Sequence, residues 1–192
     1  SLEQAVLAAA TAAKEASSVL ALSSLEQRNH ALEQMAAALQ QNKERILTAN
    51  EADMAAARQA GTKESLLDRL FLDEARIDDM ASALLDLVKL DDPLGRVLEN
   101  RILYNGMNLK RVTVPLGVVA VIYEARPNVT VDAAGICLKS GNAVVLRGGS
   151  LAVRSTGALW RVLSEAAERA GLPASCIVGI DSTDHAATDA LM

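Results

Sequence analysis

The spacing of apolar positions changes along this chain. Over residues 2–20 it is helical, with Leu2, Val6, Ala9, Ala13 and Leu20 on one stripe. Ser24-Leu25-Glu26-Gln27 has the form of a capping box, so a second helix opens there with Leu25, Leu32, Met35, Ala36 and Leu39 inward. A third helix covers 43–59 and stops at Gly61. A short helix over 65–70 follows. Another, capped by Asp73 with Ile77, Met80, Leu84 and Leu87 inward, ends at Asp91-Asp92-Pro93. The many charges on these helices read as a solvated face over an Ala/Leu core.

From Gly95 the pattern turns to strands. Runs over 97–104 and 107–114 flank Asn105-Gly106, the strongest short-range signal of a β-hairpin. Arg101, Lys110 and Arg111 imply at least one wet face. Such a ribbon could pair with another subunit or lie as a surface flap, and the pattern does not choose. Two Val/Ile-rich runs, 117–123 and 143–146, are bounded by Gly or Pro and suit parallel strands buried on both faces. Between them 129–139 is long enough for a crossover helix, stopped by Ser140-Gly141-Asn142. A helix over 152–170 ends at Gly171-Leu172-Pro173, and a third strand covers 176–180. Ser182 or Asp184 could cap a helix from about His185. The sequence stops inside that helix, as expected of a piece of a longer protein. The fold class is α/β: a helical layer, a hairpin, then a Rossmann-like parallel sheet.

Composition narrows the function. The chain has 192 residues, 51% hydrophobic but only 2% aromatic, and a formal charge of −5. With no dense Lys/Arg run, nucleic acid is a poor partner. No apolar run reaches membrane-spanning length and no secretion signal is visible, which leaves the cytoplasm as the expected compartment. Cys137 and Cys176 stand far apart and read as small buried hydrophobes rather than a disulfide or metal set. His30 and His185 lack partners at metal or base spacing, so both read as structural and no metal site is expected.

In open α/β sheets ligands bind beyond the carboxyl ends of the strands. That directs attention to Glu124-Ala125-Arg126-Pro127-Asn128 and Arg147-Gly148-Gly149-Ser150. Asn128 could be a preorganised amide donor to an oxyanion, or the cap of a helix beginning near Thr130. Arg147 could hold a phosphate bidentately, or sit in a surface turn. Gly148 and Gly149 would let the backbone approach a nucleotide. Arg126 could meet the cofactor, bind a substrate phosphate or carboxylate, or pair with Glu124. Lys139 and Asp132, on the crossover helix, read as solvated.

The stretch YEARPNVTV at 123–131, with LRGGS at 146–150, LTANEADMAAAR at 47–58 and LLDRL at 66–70, resembles the glutamate-5-semialdehyde dehydrogenases, or γ-glutamyl phosphate reductases. These are a divergent branch of the aldehyde dehydrogenase superfamily. The resemblance covers essentially the whole chain but only the front half of the family's length. It implies an incomplete aldehyde dehydrogenase-type fold: residues 1–94 as a helical layer of the cofactor domain, 95–114 as a protruding hairpin that could serve oligomerisation, 115–192 as the first β-α-β units, and no catalytic domain. It further implies NADPH-dependent reduction of L-glutamyl 5-phosphate in proline biosynthesis, through a thioacyl intermediate on a cysteine beyond residue 192. By this resemblance Asn128 is the oxyanion donor, while Glu124, Ala125, Arg126 and Pro127 touch the cofactor. Arg147, Gly148, Gly149 and Ser150 lie at the adenosine ribose. Ser150 falls where NAD-preferring relatives often carry Glu, which favours NADP(H). The partners expected are a small-molecule substrate and, at full length, further copies of the protein; the chain alone should show no reductase activity. Two other readings stay open: another aldehyde or acyl-phosphate dehydrogenase of the superfamily, and a non-catalytic nucleotide-binding module.

Overall fold

The computed structural model describes residues 2–182; the helix expected from about His185 lies outside them. Five helices come first: α1 (Leu2–Leu20), α2 (Leu25–Gln41), α3 (Lys43–Gln59), α4 (Glu64–Leu70) and α5 (Glu74–Lys89). A hairpin of β1 (Val97–Ile102) and β2 (Asn108–Val112) follows. Then come β3 (Val118–Ile122), α6 (Asn128–Lys139), β4 (Ala143–Arg147), a 3₁₀ turn at Ser150–Ala152, α7 (Val153–Arg169) and β5 (Ile177–Gly179).

Local chemistry sets the helix ends. Ser24 Oγ accepts from the Gln27 N–H at 3.1 Å, and the Ser24 N–H donates to Gln27 Oε1 at 2.8 Å, so the capping box is complete. Asp73 accepts from the Arg76 N–H at 2.8 Å. At the end of α6 the chain reverses through Gly141 at φ +72°, a conformation unfavourable with a Cβ. Asn142 Oδ1 then accepts from the Gly117 N–H at 2.9 Å, tying this turn to the start of β3.

The main sheet is parallel, in the order β3-β4-β5. All five residues of β4 are buried. Alternation sends Ala143 and Val145 towards Ala13 of α1, and Val144 and Leu146 into the larger core on the other face. That core takes Val131, Ala134 and Leu138 from α6 and Leu159, Val162 and Leu163 from α7. To the same core α2 and α5 add Leu32, Met35, Leu39, Ile77 and Leu84. Each such side chain contributes about 1.5–3 kcal/mol by leaving water. The expectation of full burial fails for β3, where Ala120 and Ile122 are exposed, because among the described residues β3 has a strand neighbour on one side only.

Several charges depart from the solvated role the sequence suggests. Arg28 is 1% exposed; it donates to the Lys139 carbonyl and holds both oxygens of Asp92, at 3.0 and 2.8 Å. Lys139, expected in solvent, is 3% exposed, with Nζ donating to Asn29 Oδ1 at 2.8 Å. Its long stem crosses the seam between α6 and α2, so the charge emerges among polar groups of another helix. Burial, with Arg28 alongside, lowers its pKa. Burial pushes the Asp92 carboxyl up, but the Leu94 N–H and the Arg28 guanidinium outweigh it and the net displacement is downward. Asp132, also expected in solvent, is half-buried, and burial raises its carboxyl despite a bond from Asn128.

Both faces of the hairpin are wet, in line with the charges at Arg101, Lys110 and Arg111: every residue of β1 and β2 is exposed. The Gly95 N–H donates to the Thr113 carbonyl at 3.0 Å, and Thr113 Oγ1 to the Pro93 carbonyl at 2.7 Å, closing the base of the ribbon.

Candidate active-site edge

The carboxyl ends of β3 and β4 converge. Ile122 pairs with Arg147, and the Tyr123 N–H donates to the Arg147 carbonyl at 3.1 Å. A Cβ on Gly149 would lie 3.2 Å from Glu124 Cα, so the two tips are in contact. This revises the reading of the glycines. Gly149 leaves room for the Glu124 backbone, and Gly148 for the Thr156 side chain, 3.0 Å from where its Cβ would be. Both serve approach of the chain to itself.

Asn128 is the first residue of α6, after Pro127 at the cap position, and no side chain caps this helix. The capping alternative is therefore overturned, because the helix begins at Asn128 rather than near Thr130. Its amide is exposed, with one weak bond to Asp132 Oδ2 at 3.4 Å. It lines a groove of about 270 Å³ together with Arg69, Phe71, Leu72, Arg76 and Asp79. Tyr123 and Thr130 fix the turn beneath it through a 2.7 Å hydroxyl–hydroxyl bond; burial pushes the Tyr123 phenol up to about 12.

The preceding residues alternate. Ala125 and Pro127 are buried, while Glu124 and Arg126 are exposed. A hollow of about 200 Å³ is walled by Leu66, Arg69, Tyr123, Glu124, Ala125, Arg126 and Val129. Arg126 makes no ion pair with Glu124 among the described residues, which removes one of its three readings.

Arg147 stands elsewhere than the sequence suggests. It is 6% exposed, on the strand face of Ala143 and Val145, and lines neither hollow. The surface-turn alternative fails for the same reason. Ser150, exposed, opens the 3₁₀ turn.

Three contributions from the helical layer escaped sequence reasoning. Asp53, 2% exposed on α3, accepts from the Ser155 N–H and Ser155 Oγ, both at 2.7 Å, and from the Arg154 N–H at 3.4 Å. A helix start ordinarily attracts an anion. Here a carboxylate already meets the start of α7, so a nucleotide phosphate has no seat there. Asn50 donates to the Leu70 carbonyl at 2.8 Å and accepts from the Leu72 N–H at 2.9 Å, clamping the link from α4 to α5. Arg76 grips the same link from outside, donating to the Asp68 and Phe71 carbonyls at 2.6 and 2.8 Å. These two clamps set Arg69 and Phe71 against the β3 tip. The motif LLDRL carries the only sequence signal, a charge at a helix end.

Burial pushes the Cys137 thiol up to about 11 and the Cys176 thiol up to about 12, so neither is a ready thiolate. Among the described residues no three His, Cys, Asp or Glu side chains gather as metal ligands, and no helix is long and apolar enough to cross a membrane.

The tips of the parallel sheet thus meet the helical layer, with an exposed amide at the first turn after β3. The chain belongs to the aldehyde dehydrogenase family, whose model matches residues 2–192. It is 52% identical over 180 residues to the γ-glutamyl phosphate reductase of Moorella thermoacetica, covering 94% of this chain and 43% of that protein. With the γ-glutamyl phosphate reductase of Clostridium novyi it shares 47% over 191 residues, 100% of this chain and 46% of the relative. The crystal structure of γ-glutamyl phosphate reductase from Thermotoga maritima superposes with a TM-score of 0.92 at 39% identity, over 94% of this chain and 44% of that one. The chain thus spans less than half the length of these relatives.

Proposed function

We propose that this chain is the cofactor-side part of an enzyme that reduces L-glutamyl 5-phosphate to L-glutamate 5-semialdehyde with release of phosphate. The observation that carries the reading is Asn128: an exposed amide fixed at the first turn after β3, in a chain 52% identical to a γ-glutamyl phosphate reductase. The reaction is acyl phosphate + NADPH + H⁺ → aldehyde + NADP⁺ + phosphate. A nicotinamide nucleotide would supply the reducing equivalent. Asn128 would donate its amide N–H to the acyl oxygen as negative charge develops there, a donor of the kind worth on the order of 3 kcal/mol in barrier. Tyr123 and Thr130 would hold the turn from which it acts. A cysteine nucleophile belongs to the remainder of such an enzyme, because Cys137 and Cys176 are buried and protonated.

The β4 tip fits the phosphorylated ribose of NADP(H) in part: a hydroxyl and no carboxylate at position 150, whereas the Arg147 guanidinium is turned inward and 6% exposed. Glu124 on the facing tip is the one nearby negative group the two loops contribute. The hairpin is proposed as an oligomerisation element, since an isolated two-stranded ribbon is marginal in water and this one exposes Ile102 at 78% and Leu98 at 57%.

The test is the reverse reaction by the protein carrying this chain at the full length of its relatives. L-glutamate 5-semialdehyde, inorganic phosphate and NADP⁺ should yield NADPH in proportion to phosphate, with NAD⁺ at least tenfold poorer in kcat/KM. Absence of phosphate-dependent NADPH formation would refute the reading; equal use of NAD⁺ would refute the cofactor assignment alone.

A further inference from the structure

The helical layer brings charge to the strand tip that no motif assigns. Arg69, on α4, lines both the groove that holds Asn128 and the hollow beneath Arg126. Arg69 and Arg126 are exposed, and among the described residues neither side chain makes a hydrogen bond, an ion pair or a ring contact. Arg76, on the far wall of the groove, differs: its guanidinium is spent on Asp68, on two carbonyls and on the Phe71 ring 5.4 Å away. Two guanidiniums with no internal partner therefore face one hollow, in a chain whose net charge is −5. The neighbouring 340 Å³ hollow beyond Phe71 and Leu72 has the opposite character, with Glu51, Asp73 and Glu74 against Arg58 alone. The groove and hollow at Asn128 thus hold Arg69, Arg76 and Arg126 against Asp79 and Glu124, and the segment bearing Arg69 is clamped by Asn50 and Arg76 before any ligand arrives.

We propose that Arg69 and Arg126 form a two-guanidinium clamp for an oxyanion of the substrate, one side of the groove in which Asn128 meets the acyl oxygen. This deepens the function proposed above and rests on it. L-glutamyl 5-phosphate carries an oxyanion at each end, its phosphoryl group and its α-carboxylate, and a guanidinium fork suits either. The Arg69 side chain carries no structural bond that its loss would break.

The experiment uses the full-length protein in the phosphate-dependent oxidation of L-glutamate 5-semialdehyde with NADP⁺. Arg69→Gln and Arg126→Gln should each raise one KM by about tenfold to a hundredfold, the loss of a charge-assisted hydrogen bond, with kcat within about threefold. A rise in KM for phosphate assigns the clamp to the phosphoryl group; a rise in KM for the semialdehyde assigns it to the carboxylate. Arg69→Lys should recover part of the loss by restoring the charge without the fork. Unchanged KM values for both, or a rise confined to NADP⁺, would overturn the clamp. A second measurement does not need turnover. Inorganic phosphate or L-glutamate should shield Arg69 and Arg126 from phenylglyoxal, read by peptide mapping, while leaving Arg58 reactive. Shielding without activity would keep the clamp and reject the proposed reaction; activity without shielding or KM change would do the reverse.

Discussion

Asn50 joins the helical layer to the strand tip, and its replacement tests how the groove is held. In Asn50→Ala the Leu70 carbonyl loses its donor at 2.8 Å and the Leu72 N–H its acceptor at 2.9 Å. Both lie in a buried setting, Asn50 being 2% exposed. A buried polar group left unpaired costs about 1–3 kcal/mol, so the two together cost on the order of 2–6 kcal/mol. The Ser155 hydroxyl also loses a donor at 3.0 Å but keeps Asp53. In urea, with a slope of about 2 kcal/mol per molar, the midpoint should fall by about 1–3 M with the slope unchanged. Asn50→Asp is the sharper comparison. It keeps an acceptor for Leu72 but sets a second carboxylate across the Ser155 hydroxyl from Asp53, so it should be at least as damaging at neutral pH and recover as the pH falls towards the carboxylate range. A loss below about 0.5 kcal/mol in Asn50→Ala, the range of an ordinary surface change, would refute the reasoning.

Two further outcomes follow from the buried ionisable groups. The native pKa of Asp92 lies below its ordinary 3.8, so its contribution is complete above that value and is lost as pH falls through the native one. The stability gap between the wild type and Asp92→Asn should therefore be widest near neutrality and narrow below about pH 4; a gap independent of pH in acid denaturation would contradict this. Cys137 and Cys176, pushed up to about 11 and 12, should resist a thiol reagent in the native protein at pH 8 and react fully in denaturant; fast native labelling would show either thiol to be accessible.

The regular elements were legible because their signals are local. The Ser24–Gln27 capping box, the Asp73 cap, the Asn105-Gly106 turn and the stop at Gly141 each lie within a few residues of the boundary they set. What was illegible depends on partners remote in sequence. Lys139 looks like a solvated charge at a helix end until Asn29 stands 2.8 Å from it. Asp53 looks like part of a charged surface until α7 presents Ser155 to it. The strand-tip loops were found from the Val/Ile runs before them, yet not the inward turn of Arg147, since the last residue of a strand can close a buried face as readily as open a loop. Arg69 could be assigned to a helix from LLDRL, but its meeting with Arg126 depends on how α4 is held against the sheet.

The central claim is that the amide of Asn128 acts on developing negative charge. Asn128→Ala in the protein at the full length of its relatives tests it directly. The side chain is exposed and makes a single bond of 3.4 Å, so stability should change by no more than about 0.5 kcal/mol. The account predicts that kcat for phosphate-dependent NADP⁺ reduction falls about a hundredfold to a thousandfold, with the KM values within about threefold. An unchanged kcat in a normally folded variant would contradict it.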